Sequence, residues 1–105
     1  MKQTQQGDVL MYSVIRIPEG AKRVSPVDGQ FIIAKGEVTG HAHRIEVKEG
    51  MELYEHEEIL YLKYIGEAPM VHEEHRKVLV DPGITAFEIV REKDHFNDLI
   101  RRVLD

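Results

Sequence analysis

The chain has 105 residues, of which 42% are hydrophobic and 31% are charged, a composition typical of globular proteins, so we expect residues 1–105 to form one domain. Its formal charge of −5 argues against binding of nucleic acid through a generally basic surface, because phosphate neutralisation needs clustered Lys and Arg. The absence of cysteine excludes disulfides, thiolate nucleophiles and Cys-ligated metals, so any metal ion must be held by His, Asp or Glu.

Runs of β-branched and aromatic residues alternate with turn signals along most of the chain, a pattern that predicts β-strands. The predicted strands and short extended segments cover residues 9–17, 31–34, 41–47, 51–55, 59–65, 69–73, 77–80 and 85–91. Turns are predicted at Pro18-Glu19-Gly20, Asp28-Gly29 and Asp81-Pro82-Gly83, and residues 51–65 are predicted to form a hairpin.

The C-terminus has a different periodicity, which predicts the one α-helix of the chain. Its apolar residues recur at i, i+3, i+4, i+7 and i+8, namely Phe96, Leu99, Ile100, Val103 and Leu104, and Asp94 is a plausible N-cap. This apolar stripe either packs on the chain's own sheet or forms the seam of a homodimer. The expected fold is therefore mainly β, a sandwich or barrel with one C-terminal α-helix.

The first motif that can carry chemistry is a His-x-His pair within the predicted strand 41–47. Side chains two residues apart point to one face of a strand, so His41 and His43 share a face with Ile45 and Val47. Because the apolar pair marks the inward face, we expect both imidazoles to point inward. Two imidazoles on one strand face form a natural chelate for a transition metal ion.

The second motif, Val71-His72-Glu73-Glu74-His75, places two histidines three residues apart. Residues at this spacing lie on opposite faces of a strand but on one face of a helical turn. His72 and His75 can therefore converge only if the segment is a turn, whereas in a regular strand only one of them would bind.

Together the motifs predict a site for a divalent transition metal ion, Zn, Ni, Fe or Mn, held by His41, His43, His72 and His75. Three protein ligands would leave an open site and four would close it, and at an open site Glu73 or Glu74 is the candidate general base toward metal-bound water. The alternative interpretation is that these histidines are ordinary hydrogen-bonding residues of a solvated loop.

The order of motifs resembles that of a family of small uncharacterised prokaryotic and phage-associated proteins. The resemblance rests on Gln6-Gly7-Asp8-Val9-Leu10, Gly36-Glu37-Val38-Thr39-Gly40-His41-Ala42-His43-Arg44, Val71-His72-Glu73-Glu74-His75, Asp81-Pro82-Gly83 and Val90-Arg91-Glu92. The glycine-rich approach to His41-x-His43 and the later Pro82-Gly83 turn are more loosely similar to the cupins, which are small β-barrels that hold a metal ion inside.

The leading functional expectation is thus a small protein that binds a divalent metal through its histidines. A non-enzymatic interaction module of phage or mobile-element origin, which joins a partner or itself, is the rival, and a metal-dependent hydrolase or oxygenase is a third reading. No apolar stretch approaches the ~20 residues that span a bilayer, and the polar start has no signal-peptide core, so we expect a cytoplasmic protein with no membrane contact. A homo-oligomer, a protein partner or a small-molecule ligand is compatible with the pattern.

Overall fold

The described part of the chain, residues 3–36 and 40–90 of a computed structural model, consists of strands and turns. In chain order the strands are β1 Gln3–Gln6, β2 Val9–Val14, β3 Lys22–Val24, β4 Gln30–Lys35, β5 Ala42–Glu46, β6 Glu52–His56, β7 Ile59–Tyr64, β8 Ala68–Val71, β9 Val78–Val80 and β10 Gly83–Ile89. Each predicted strand overlaps one of them, so the mainly β prediction is confirmed.

Two antiparallel sheets share these strands. The six-stranded sheet has the order β1-β2-β10-β7-β6-β3, and the four-stranded sheet has the order β4-β5-β8-β9. Neither sheet closes on itself within the described residues, so the barrel alternative is wrong and the two-sheet alternative is confirmed. The helix predicted around residues 96–104 lies outside the described residues and stays a prediction.

The hydrophobic core lies between the two sheets and draws on both. The six-stranded sheet contributes Val9, Met11, Leu53, Leu62 and Phe87, and the four-stranded sheet contributes Phe31, Ile33, Ile45, Met70 and Val80. Along β2, β6 and β8 these residues alternate with more exposed ones, whereas in β10 the neighbours Thr85 and Ala86 are buried as well.

Strands β1 and β3 were not predicted, and both lie at the edges of the six-stranded sheet. Strand β1 reads Gln-Thr-Gln-Gln and has only Thr4 among the β-branched and aromatic residues that mark a strand, yet it pairs with β2 over four residues, from Gln3 opposite Tyr12 to Gln6 opposite Val9. Gly7, with a φ of 57°, makes the tight turn between them. This turn places Gln6 and Asp8 over the end of the core.

Among the described residues, no helix is long and apolar enough to cross a membrane.

Candidate functional site

Four imidazole rings meet at one end of the sandwich, and we call His41, His43, His72 and His75 the imidazole cluster. The ring centroids of His43 and His72 are 4.4 Å apart, and those of His72 and His75 are 4.6 Å apart. Two further pairs, His41 with His72 and His43 with His75, are each separated by 5.9 Å. Histidines from two distant segments of the chain, as the sequence predicted, thus share one neighbourhood.

His43 is the centre of the cluster and its most buried member. Its side chain is 1% exposed and lies on the same inward face of β5 as Ile45, as the alternation in the sequence predicted. His41 precedes the strand and is 26% exposed. The inward position is therefore confirmed for His43, while His41 stands at the margin of the site.

Gln6 fixes the hydrogen that His43 carries on Nδ1. The side-chain Nε2 of Gln6 donates to the carbonyl oxygens of Met70 and Arg76, each at 2.9 Å. The amide orientation is therefore set, and Oε1 of Gln6 faces His43 Nδ1 at 2.8 Å. Because an amide oxygen only accepts, Nδ1 must be the donor, and in a neutral ring the lone pair then lies on Nε2.

Asp8 faces that second nitrogen. Its Oδ1 lies 3.0 Å from His43 Nε2 and belongs to the turn between β1 and β2. Burial lowers the pKa of His43, and the neighbouring His72 and His75 lower it further, against the opposing effect of Asp8. The net effect is a lowered pKa of His43, which favours the neutral ring, although both of its nitrogens face oxygen acceptors.

His72 and His75 lie on the connection between β8 and β9, which is irregular rather than extended. The sequence analysis predicted that both rings can converge only if this segment is a turn, and the segment is not a regular strand. Each ring packs against a glycine: a Cβ added to Gly36 would lie 3.0 Å from His72 Nε2, and one added to Gly7 would lie 2.6 Å from His75 Nε2. The rings therefore occupy space that only glycine leaves open.

Glu73 is used by structural contacts. One carboxylate oxygen accepts from the backbone N–H of Ala42 at 2.8 Å, and the other accepts from the Arg44 guanidinium. The Ala42 N–H, together with Arg44, lowers the pKa of the Glu73 carboxyl to about 2. A carboxylate of such low basicity is a poor proton acceptor at neutral pH, so the contacts suit Glu73 to holding the loop against β5.

Glu74 is more open. Its side chain is 57% exposed, and its Oε1 lies 3.6 Å from His41 Nδ1, a buried nitrogen that has no hydrogen-bond partner among the residues that the structure describes. Its backbone N–H donates to His72 Nδ1 at 3.0 Å. Of the two predicted general bases, Glu74 is therefore the one whose carboxylate is not held by strong donors.

The ring nitrogens of the cluster that could bind a metal ion do not point at a common centre. Among residues 3–36 and 40–90, no group of three or more His, Asp or Glu side chains is arranged to hold a metal ion. His72 Nδ1 accepts from Glu74, and His75 Nε2 lies against Gly7, so both rings must turn before they can share an ion with His43.

Sequence reasoning missed the residues that hold His43. Asp8 lies in the turn between β1 and β2, and the sequence analysis assigned neither Asp8 nor Gln6 to the site. Asp8 and Gln6 lie 35 and 37 positions from His43 in sequence. They contact it only because the two sheets pack against each other. The only signal was their place in the Gln6-Gly7-Asp8 motif, which carries no indication of a partner.

Comparisons with known proteins give one match. The model of a protein family described as a domain of unknown function (DUF8820) matches residues 5–92, a stretch that includes every member of the imidazole cluster together with Gln6 and Asp8. No curated protein and no solved structure matches the chain. The match is consistent with the predicted membership of an uncharacterised family, whereas the motifs that define it, its prokaryotic and phage association and its likeness to the cupins stay predictions.

Proposed function

The chain belongs to the family of the domain of unknown function DUF8820, and we propose that it binds one divalent transition metal ion at the imidazole cluster. His43 Nε2 and Asp8 are the first two ligands in this proposal, and His72 and His75 complete the set after their rings turn. His41 is the outermost imidazole and the optional fifth donor.

One observation carries the proposal: both ring nitrogens of the buried His43 face oxygen acceptors, with Gln6 Oε1 2.8 Å from Nδ1 and Asp8 Oδ1 3.0 Å from Nε2. A neutral ring can donate to only one of these acceptors, so the second contact needs a further proton or a metal ion. Burial and the neighbouring imidazoles lower the pKa of His43 and oppose the imidazolium form, against the opposing effect of Asp8. A metal ion satisfies His43 Nε2 and Asp8 at once, because neutral imidazole and carboxylate are its ordinary ligands.

The spacing of the rings supports a shared ion. Two imidazoles bound to one ion with metal–nitrogen bonds of ~2.1 Å have ring centroids about 5 Å apart. The four measured separations in the cluster run from 4.4 to 5.9 Å. The ring positions therefore suit coordination, and only ring orientations must change, with His72 giving up its bond from the Glu74 backbone.

The surroundings of His43 resemble those of metal-bound histidines. Such a histidine normally donates its second ring N–H to an oxygen that fixes the tautomer and the ring plane, and Gln6 Oε1 occupies this place. Imidazole and carboxylate donors without sulfur suit Zn, Ni, Fe or Mn. The proposal therefore keeps these four ions as candidates.

A hydrolytic or oxygenase role would be a second function of the same site, and the contacts favour Glu74 over Glu73 as its base. Glu73 is held by Ala42 and Arg44, whereas Glu74 is exposed beside His41. A bound ion would supply Lewis-acid activation of water at this site, and Glu74 would be the residue placed to accept the proton.

The test is metal analysis of the protein purified without a histidine tag, followed by titration with Ni²⁺ and Zn²⁺. We expect about one equivalent of metal in the wild type and in His56→Ala, and none in His43→Ala or Asp8→Asn. His56 is the matched control because it lies on the β6–β7 hairpin, outside the cluster. Equal binding by all four proteins would contradict the proposal, and circular dichroism shows whether each variant remains folded.

A further inference from the structure

Gln6 is the one buried residue of the edge strand β1. It is 2% exposed, whereas the other three residues of this strand are exposed or half-buried. Its amide uses its oxygen and both of its N–H groups, because Oε1 faces His43 Nδ1 and Nε2 donates to two carbonyl oxygens. Strand β1 therefore buries a hydrogen-bonding group rather than an apolar side chain, and this group lies at the imidazole cluster.

The two carbonyl oxygens that Gln6 binds lie on either side of residues 71–75, which we call the histidine loop. Met70 precedes the loop and Arg76 follows it, and Gln6 Nε2 donates to the carbonyl oxygen of each at 2.9 Å. One NH₂ group thus closes the loop at its base. Because Glu73 is bound by β5, the loop is fixed at its middle as well.

Gln6 also determines which nitrogen of His43 keeps its lone pair. Gln6 Oε1 lies 2.8 Å from Nδ1 and accepts the hydrogen there. Without this acceptor, a neutral ring would donate from Nε2 to Asp8 Oδ1, which lies 3.0 Å away. The lone pair would then lie on Nδ1, on the opposite side of the ring from Asp8. The Gln6 contact therefore leaves Nε2 available beside the carboxylate.

We propose that Gln6 is the positioning residue of the imidazole cluster: it holds His43 in the tautomer that presents Nε2 and fixes the base of the histidine loop. The consequence for affinity rests on the metal site proposed above, whereas both contacts can be measured without metal. Ligands that are already ordered bind an ion more tightly, and loss of a residue that orients a metal-bound histidine typically weakens metal affinity about 10–100-fold.

The experiment compares the full-length wild type with Gln6→Met, Gln6→Glu and Gln3→Met in the presence of a chelator. Methionine has a similar length but offers no strong hydrogen-bond partner, whereas glutamate keeps an oxygen for His43 Nδ1 and loses the paired N–H donors. Gln3→Met makes the same change at the exposed start of β1. Ring ¹⁵N chemical shifts report the tautomer of His43, and amide hydrogen exchange reports the order of the histidine loop.

We expect the Nδ1–H tautomer of His43 in the wild type, Gln3→Met and Gln6→Glu, and the Nε2–H tautomer in Gln6→Met. Exchange of the Glu74 N–H, which bonds to His72 Nδ1, should accelerate about fivefold or more in both Gln6 variants and stay unchanged in Gln3→Met. An unchanged tautomer in Gln6→Met overturns the proposal, as does unchanged exchange in both Gln6 variants.

The Val47 N–H controls for general unfolding, because it bonds to the Gly29 carbonyl oxygen, outside β1 and the histidine loop. If its exchange accelerates in Gln6→Met as well, that variant has unfolded and Gln6→Glu decides alone. A retained Nδ1–H tautomer with faster Glu74 exchange then supports the proposal, and any other result overturns it.

Titration of the same four proteins with Zn²⁺ separates this proposal from the proposed function. We expect the Kd to rise about tenfold or more in Gln6→Met and to stay unchanged in Gln3→Met. Equal Kd values for the wild type and Gln6→Met overturn the positioning role. A wild type that binds no Zn²⁺ overturns the metal site instead, and the tautomer and exchange measurements then decide the role of Gln6.

Discussion

Two segments of nearly the same composition have different structural roles in this protein. Residues 55–58 read Glu-His-Glu-Glu and residues 72–75 read His-Glu-Glu-His. The first segment covers the tip of the β6–β7 hairpin, where Glu57 and Glu58 have φ angles of 50° and 68° and the Glu57 side chain is 83% exposed. The second brings two imidazoles against His43.

The difference lies in what each segment faces. At the hairpin tip, His56 Nδ1 lies 3.9 Å from Oε2 of Glu57, the next residue in sequence. In the loop after β8, by contrast, Glu73 is bound by β5, and both rings occupy space left by glycines from other strands and turns. Histidine and glutamate in a short turn therefore make a candidate site only where distant backbone leaves room for the rings and supplies fixed partners.

The largest expected contrast between these segments is stabilisation by metal. A ligand that binds only the folded state at 100 times its Kd stabilises it by about 2.7 kcal/mol. In urea unfolding, we expect Ni²⁺ or Zn²⁺ to raise the free energy of unfolding by this amount in the wild type and in His56→Ala. It should vanish in His72→Ala/His75→Ala. A double variant that keeps the full gain would show that the ion binds elsewhere.

A smaller contrast separates two glycines with positive φ. Gly7 and Gly50 have φ angles of 57° and 89°, so alanine at either position is strained by roughly 1–3 kcal/mol. Only at Gly7 would the added Cβ meet a ring, His75, and displace it. We expect Gly7→Ala to weaken metal binding about tenfold, or ~1.4 kcal/mol, and Gly50→Ala to leave the affinity unchanged. Isothermal titration measures both, and equal affinities would remove His75 from the ligand set.

The sequence predicted every described strand except β1 and β3, and also the position of His43, because these follow from local periodicity. Alternation with Ile45 places His43 inward, and the β-branched runs mark the strands that line the core. The convergence of His72 and His75 was predicted only conditionally, since a three-residue spacing does not distinguish a turn from a strand. The bends between β8 and β9 decide it.

The partners of His43 were beyond prediction because they depend on how the sheets pack. Gln6 belongs to an edge strand without a strand-like composition, and nothing local indicates that its amide crosses to Met70 and Arg76. The role of Glu73 is similarly tertiary: its sequence suggests a free carboxylate, and only the approach of Ala42 and Arg44 lowers its basicity.

The smallest effect concerns the two adjacent carboxylates of the loop and depends on pH. The pKa of Glu73 falls from 4.5 to about 2 on folding, so its contacts stabilise the protein above pH 4.5, and this contribution is lost as the pH falls toward 2. Glu73→Gln should therefore have a lower free energy of unfolding than the wild type at pH 6. This difference, the stability gap, should narrow by pH 3. Glu74→Gln, which removes an exposed carboxylate of the same loop, is the matched control. Urea midpoints measured with a chelator present, to exclude metal effects, check both. A gap for Glu73→Gln that stays constant from pH 6 to pH 3 would mean that Ala42 and Arg44 hold a group whose charge contributes nothing to the fold.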